Sequence, residues 1–139
     1  MTTSEDVAMV ELIWDKNGSG IATGPSGASI TVGEASDFSP EDLMATAVAG
    51  CVMRSFLARA AVADVPILSY ASASYVEGTR ASSARVVLRC YVVIGEDGST
   101  AAVQKLLEAA RRDSPVCSLL ADSFECRADI RRLCGTCAR

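Results

Sequence analysis

Residues 39–64 read SPEDLMATAVAGCVMRSFLARAAVAD, and the fold turns on how this stretch is taken. Ser39 offers a side-chain acceptor to free backbone N–H groups, Pro40 brings a fixed φ suited to a first helical position, and Glu41 and Asp42 complement the positive end of the helix dipole. Together they predict a helix that starts at Pro40. It runs to about Asp64 and stops before Pro66, because the residue ahead of a proline is pushed out of the helical region. Leu43 to Ala63 is apolar for about the length of a bilayer span, but it holds Arg54 and Arg59, each costing a few kcal/mol in lipid. A core helix is therefore expected, with no membrane partner. It is apolar nearly all round, so a small sheet on one face leaves the other to be covered, most economically by a second copy.

Working outward, Val7 to Trp14 reads as a first strand, Asp15 to Gly20 as turn, and Ala28 to Val32 as a further short strand after Gly-Pro-Ser-Gly. Downstream, Ile67 to Glu77 and Arg85 to Ile94 are two longer strands, the second with Val86, Leu88, Cys90 and Val92 in alternation, and they are expected to form a hairpin. Ser99 or Thr100 caps a second helix to about Asp113, carrying Val103, Leu106, Leu107 and Ala110 at helical spacing. Ser-Pro-Val-Cys follows at the start of a short helix, and Phe124 to Ile130 closes the chain as a strand. Strands, long helix, strands, helix, strand is an α+β order rather than alternating parallel units. Residues 1–139 are of a size for one domain.

Lys and Arg total 13 against 17 Asp and Glu, a net charge of −4 with no basic cluster, which argues against a nucleic-acid surface. The polar, acidic Met1 to Asp6 has neither feature of a secretory leader, so a cytoplasmic location is expected. The six cysteines would then be reduced thiols rather than a disulfide framework. The chain contains no histidine, which removes Cys–His nucleophile pairs, Ser–His–Asp triads and mixed Cys/His zinc sites.

Cys51 lies mid-helix, where it is either a small core hydrophobe or a nucleophile. As a nucleophile it needs a cation to favour the thiolate, and Arg54, Arg111 and Arg112 are candidates. Cys117 sits at the start of the short helix, where a thiolate is favoured, and is either a structural thiol or a reactive one. Cys90 and Cys126 fall on strands and read as packing. Cys134 and Cys137 form a lone CxxC, either a redox or metal-binding pair or part of a frayed tail. Glu41 is ten residues from Cys51, about 15 Å along a helix, so the two do not meet within one chain. Glu41 is either an acid serving the helix dipole or a group that acts on another copy's thiol.

The run from Ser39 to Cys51 resembles the central helix of the OsmC/Ohr family (osmotically inducible protein C and organic hydroperoxide resistance protein), in which a Pro-Glu-x-Leu opening precedes a reactive cysteine by ten residues. Ala109 to Cys117 is similar to the family's second signature. The resemblance implies antiparallel sheets around two long central helices in an intertwined homodimer, with sites at the subunit interface. It also implies reduction of an organic hydroperoxide or hydrogen peroxide through Cys51, with Glu41 in the site, Cys117 as resolving thiol, no cofactor or metal, and recycling by small or lipoyl-type thiols. The alternative is a relative that kept the dimer as a small-molecule binder or thiol carrier. Two features depart from the family pattern. Its N-terminal arginine has no counterpart here, since Lys16 is the only cation before Arg54, and its Cys-Pro-x-Ser is replaced by Ser114-Pro115-Val116-Cys117.

Overall fold

A computed structural model describes residues 9–14, 18–33, 38–78, 80 and 82–133. The Cys134–Cys137 motif and Lys16 lie outside the described residues. The chain divides after Leu43 into two compact units.

The first unit holds a three-stranded antiparallel sheet of β1 (Glu11–Trp14), β2 (Ser19–Thr23) and β3 (Ser29–Gly33), in that spatial order. β2 is absent from the sequence reading, which gave its first residues to a turn. The β2–β3 connection is built on Pro25, whose ring suits the second position of a turn closed by the Gly27 N–H on the Gly24 carbonyl. Gly27 then takes φ +90, a conformation open to glycine, and lets the strands re-pair at Thr23 and Ser29. Leu12, Ile13 and Trp14 are all exposed.

Helix α1 spans Pro40–Val62 and begins where the sequence places it. The Ser39 Oγ accepts from the Asp42 N–H at 3.1 Å while Asp42 accepts from the Ser39 N–H at 3.0 Å, a reciprocal cap. At the other end α1 stops at Val62, Asp64 turns left-handed at φ 56, and the Val65 N–H bonds back to the Ala60 carbonyl, so the chain has left the helix before Pro66. It is the described helix long and apolar enough to cross a membrane, and Ala45, Val48, Val52, Phe56 and Ala60 make a buried stripe along it.

The second unit is built on a sheet ordered β4 (Ile67–Glu77), β5 (Arg85–Ile94), β6 (Phe124–Arg132). The first two form the expected antiparallel hairpin. β6 pairs with β5 in parallel, which corrects the expectation of wholly antiparallel sheets. The cause lies in the connection: α2 (Thr100–Asp113) and α3 (Pro115–Leu120) return the chain to the starting end of β5, as parallel pairing requires. The core joins Val48, Val52 and Phe56 of α1 to alternate residues of β5 and to Val103, Leu107 and Ala110 of α2. Beside this stripe on α1, Met53 and Leu57 are each 38% exposed.

Candidate active site

The site forms where α2 gives way to α3. Pro115 lacks an N–H and holds the preceding residue in extended backbone, so Ser114 ends α2 with φ −75 and ψ 122 and serves as N-cap of α3. Its Oγ accepts from the Cys117 N–H at 3.5 Å, and the same hydroxyl donates to Cys51 Sγ on α1 at 2.6 Å. Ser114 is buried, so this hydroxyl finds its partners in protein rather than water. One oxygen therefore ties the backbone of Cys117 to the sulfur of Cys51.

The bend is fixed from α1 as well. Arg59 forms an ion pair with Asp113, the residue before Ser114, and its Nε donates to Ser55 Oγ at 3.4 Å. Arg59 is thus committed to positioning the loop.

Cys51 is half-buried at the edge of the α1 stripe, and Cys117 is buried in the core. Burial pushes the Cys117 thiol up. The hydrogen bond with Ser114 acts the other way, the nearby Cys51 raises it further, and Arg111 lowers it. The two cysteines thus fall within electrostatic range of each other, with Ser114 between them. The sequence reading passed over Ser114, although its place ahead of Pro115 marks it as a cap.

Glu41 lies in the first unit, where it lines a cavity of about 570 Å³ with Leu12, Trp14, Val32 and Pro40. No cationic side chain lines this cavity among the described residues. Arg54 is exposed. Arg111 and Arg112 close α2, where they complement its dipole, and both lie beside Cys117 in a separate cavity.

A further pair of thiols sits in the sheet. Cys90 is fully buried on β5 and Cys126 partly so on β6, matching their reading as packing residues. A hydrogen bond with Cys126 lowers Cys90 to about 7, against the effect of burial, and the Tyr70 hydroxyl lies 3.4 Å from its sulfur. Cys126 and Tyr70 are raised in turn, Cys126 chiefly by Cys90 and Tyr70 chiefly by burial. Among the described residues no group of three His, Cys, Asp or Glu side chains is placed to hold a metal ion.

This α+β fold brings two cysteines, Cys51 on α1 and Cys117 on α3, to one buried hydroxyl. Residues 33–128 match the model of the OsmC-like protein family, and the chain belongs to that family. No curated protein is significantly similar in sequence. Among solved structures, a hypothetical protein from Aquifex aeolicus superposes with a TM-score of 0.78 at 13% identity, covering 92% of this chain and 98% of that one. The OsmC-like protein from Mycoplasma pneumoniae gives 0.75 at 11% identity, covering 94% and 100%. The organic hydroperoxide resistance protein OhrB of Bacillus subtilis gives 0.66 at 16% identity, covering 91% and 99%. These likenesses describe the fold.

Proposed function

We propose that this protein is a cytoplasmic thiol peroxidase that reduces organic hydroperoxides or hydrogen peroxide, with Cys51 as the attacking residue and Cys117 as the resolving one. The observation that carries the reading is the Ser114 hydroxyl, which donates to Cys51 Sγ and accepts from the Cys117 backbone. The Cys51 thiolate attacks the peroxide, breaks the O–O bond and becomes a sulfenic acid while the alcohol leaves, or water where hydrogen peroxide is the substrate. The Cys117 thiolate then attacks the Cys51 sulfur, water departs, and a disulfide joins the two. A thiol reductant returns both residues to the reduced state.

The working form is a homodimer in which residues 1–139 act as one OsmC-like domain per chain. Supporting this are the exposed Leu12, Ile13 and Trp14 of β1 and the exposed Met53 and Leu57 of α1, apolar surfaces on both units that a second copy would cover. Glu41, placed ten residues up the helix from Cys51, serves the thiol of the other copy.

Titration of the reduced protein with one equivalent of cumene hydroperoxide, counting free thiols within seconds, tests the reading. Loss of two thiols per chain that depends on both Cys51 and Cys117 is expected. A slow loss unaffected by Cys51→Ser overturns it. The second reading, a small-molecule binder or thiol carrier, is favoured by the Glu41 cavity, which is sized for a ligand and has no described cation to assist peroxide chemistry.

A further inference from the structure

The peroxidase reading leaves open how the disulfide is reduced, and the second unit contains a cavity that Cys117 lines and Ser114 does not. It measures about 290 Å³ and is lined by Glu108, Arg111, Arg112, Cys117, Ser118 and Phe124. The Arg111 guanidinium lies over the Phe124 ring, 5.4 Å from its centroid, a stacking contact that holds the charge at the cavity wall. Among the described residues Arg111 takes part in no ion pair, whereas Arg112 pairs with its neighbour Asp113 at 3.5 Å. Glu108 accepts from Gln104. Two arginines, one without an acidic partner among the described residues, therefore share a cavity with the cysteine that the peroxidase reading leaves oxidised. A cavity of this kind selects an anion of small-molecule size.

We propose that this cavity binds the recycling reductant, and that the reductant is a small thiol carrying carboxylates, docked on Arg111 and Arg112 and directed at Cys117. The proposal rests on the peroxidase reading, because its substrate is the Cys51–Cys117 disulfide. The reductant thiolate attacks Cys117 Sγ, a mixed disulfide forms there, and Cys51 leaves as a thiolate that meets the Ser114 hydroxyl. A second reductant thiolate attacks the sulfur of the bound reductant. It departs as the oxidised dimer of the reductant, and Cys117 leaves as a thiolate and takes up a proton. Two reductant thiols are oxidised for one protein disulfide reduced.

The test uses the full chain, oxidised with one equivalent of cumene hydroperoxide, and compares re-reduction by mercaptosuccinate, which bears two carboxylates, with re-reduction by uncharged mercaptoethanol. Rates are expressed per thiolate. The ratio of the two rate constants is expected to fall about tenfold or more in R111Q/R112Q, and to fall similarly in the wild type at high salt, where exposed charge pairs are screened. An unchanged ratio in both overturns the proposal. So does a mercaptosuccinate adduct found by mass spectrometry on Cys51 rather than Cys117. If R111Q/R112Q does not fold, the salt dependence and the adduct position decide. Failure of the peroxidase reading is seen earlier, as the absence of a Cys51–Cys117 disulfide before any reductant is added, and the proposal then falls with it.

Discussion

The Ser114 hydroxyl donates to Cys51 Sγ at 2.6 Å, across 63 residues of chain. The residue that touches the Cys51 sulfur is thus the serine ahead of the proline, at the position where the family pattern described above has its second cysteine. A thiol in that place would stand within bonding reach, since an S–S bond of about 2 Å needs only a small closure. S114C/C117S is therefore expected to lose two thiols per chain on addition of one equivalent of hydroperoxide, with a disulfide from Cys51 to the introduced residue found by peptide mapping. Overoxidation of Cys51 in that variant would show that the bend cannot close.

The pH dependence of the resolving step follows from the burial of Cys117, which pushes its thiol up. Only the thiolate attacks a sulfenic sulfur, so at neutral pH a smaller fraction of Cys117 is reactive than for a free thiol. Disulfide formation is expected to accelerate about tenfold per pH unit from pH 7 and to be still climbing at pH 9. Dimedone trapping of the Cys51 sulfenic acid should accordingly be greatest at the low end of that range. A rate that levels off below pH 8 would place Cys117 in an environment unlike the one described.

How much of this was legible in the sequence depended on whether the signal was local. α1 was readable because Ser39, Pro40 and the two acids mark its start within four residues, and Pro66 marks its end. β4 and β5 were readable as two longer strands, the second from its alternation, and their observed bounds are those expected. β2 was missed because Ser19, Gly20 and Ala22 outweigh Ile21 and Thr23 in so short a segment, and pairing with β1 and β3 on both sides makes it a strand. The parallel direction of β6 was invisible for a related reason, since it is set by the path of α2 and α3. At the site, Cys51 and Cys117 were found as residue types, but Ser114 is common chemistry in an ordinary capping position. Only its contact across 63 residues reveals a second use.

Stability should separate the core from the ion pair that holds the bend. Phe56 is fully buried and its ring lies 5.6 Å from that of Tyr70, so F56A is expected to cost about 3–5 kcal/mol. Arg59 and Asp113 are both more than a third exposed, and R59A should cost less than about 1 kcal/mol despite the direct contact. Guanidinium unfolding at fixed protein concentration measures both. The same R59A protein should form its Cys51–Cys117 disulfide more slowly than the wild type, because the residue next to Ser114 loses its anchor. A large stability loss in R59A with an unchanged disulfide rate would reverse these assignments.

The proposed dimer makes the most direct demand on α1. Met53 and Leu57 are four residues apart, one turn of helix, and are each 38% exposed, while Val52 and Phe56 beside them are fully buried. The exposed pair continues the apolar character of the helix onto the side that the sheet does not cover. If a second copy covers it, sedimentation velocity at micromolar concentration should give a dimer for the wild type and a monomer for M53E/L57E, since two carboxylates buried without partners against the same residues of the other copy cost several kcal/mol. Hydroperoxide reduction should fall with dissociation, because the Glu41 of one copy is then no longer beside the Cys51 of the other. A variant that stays dimeric, or a wild type that sediments as a monomer at every concentration, would mean that α1 is not the contact and that Glu41 has no part in the chemistry of Cys51.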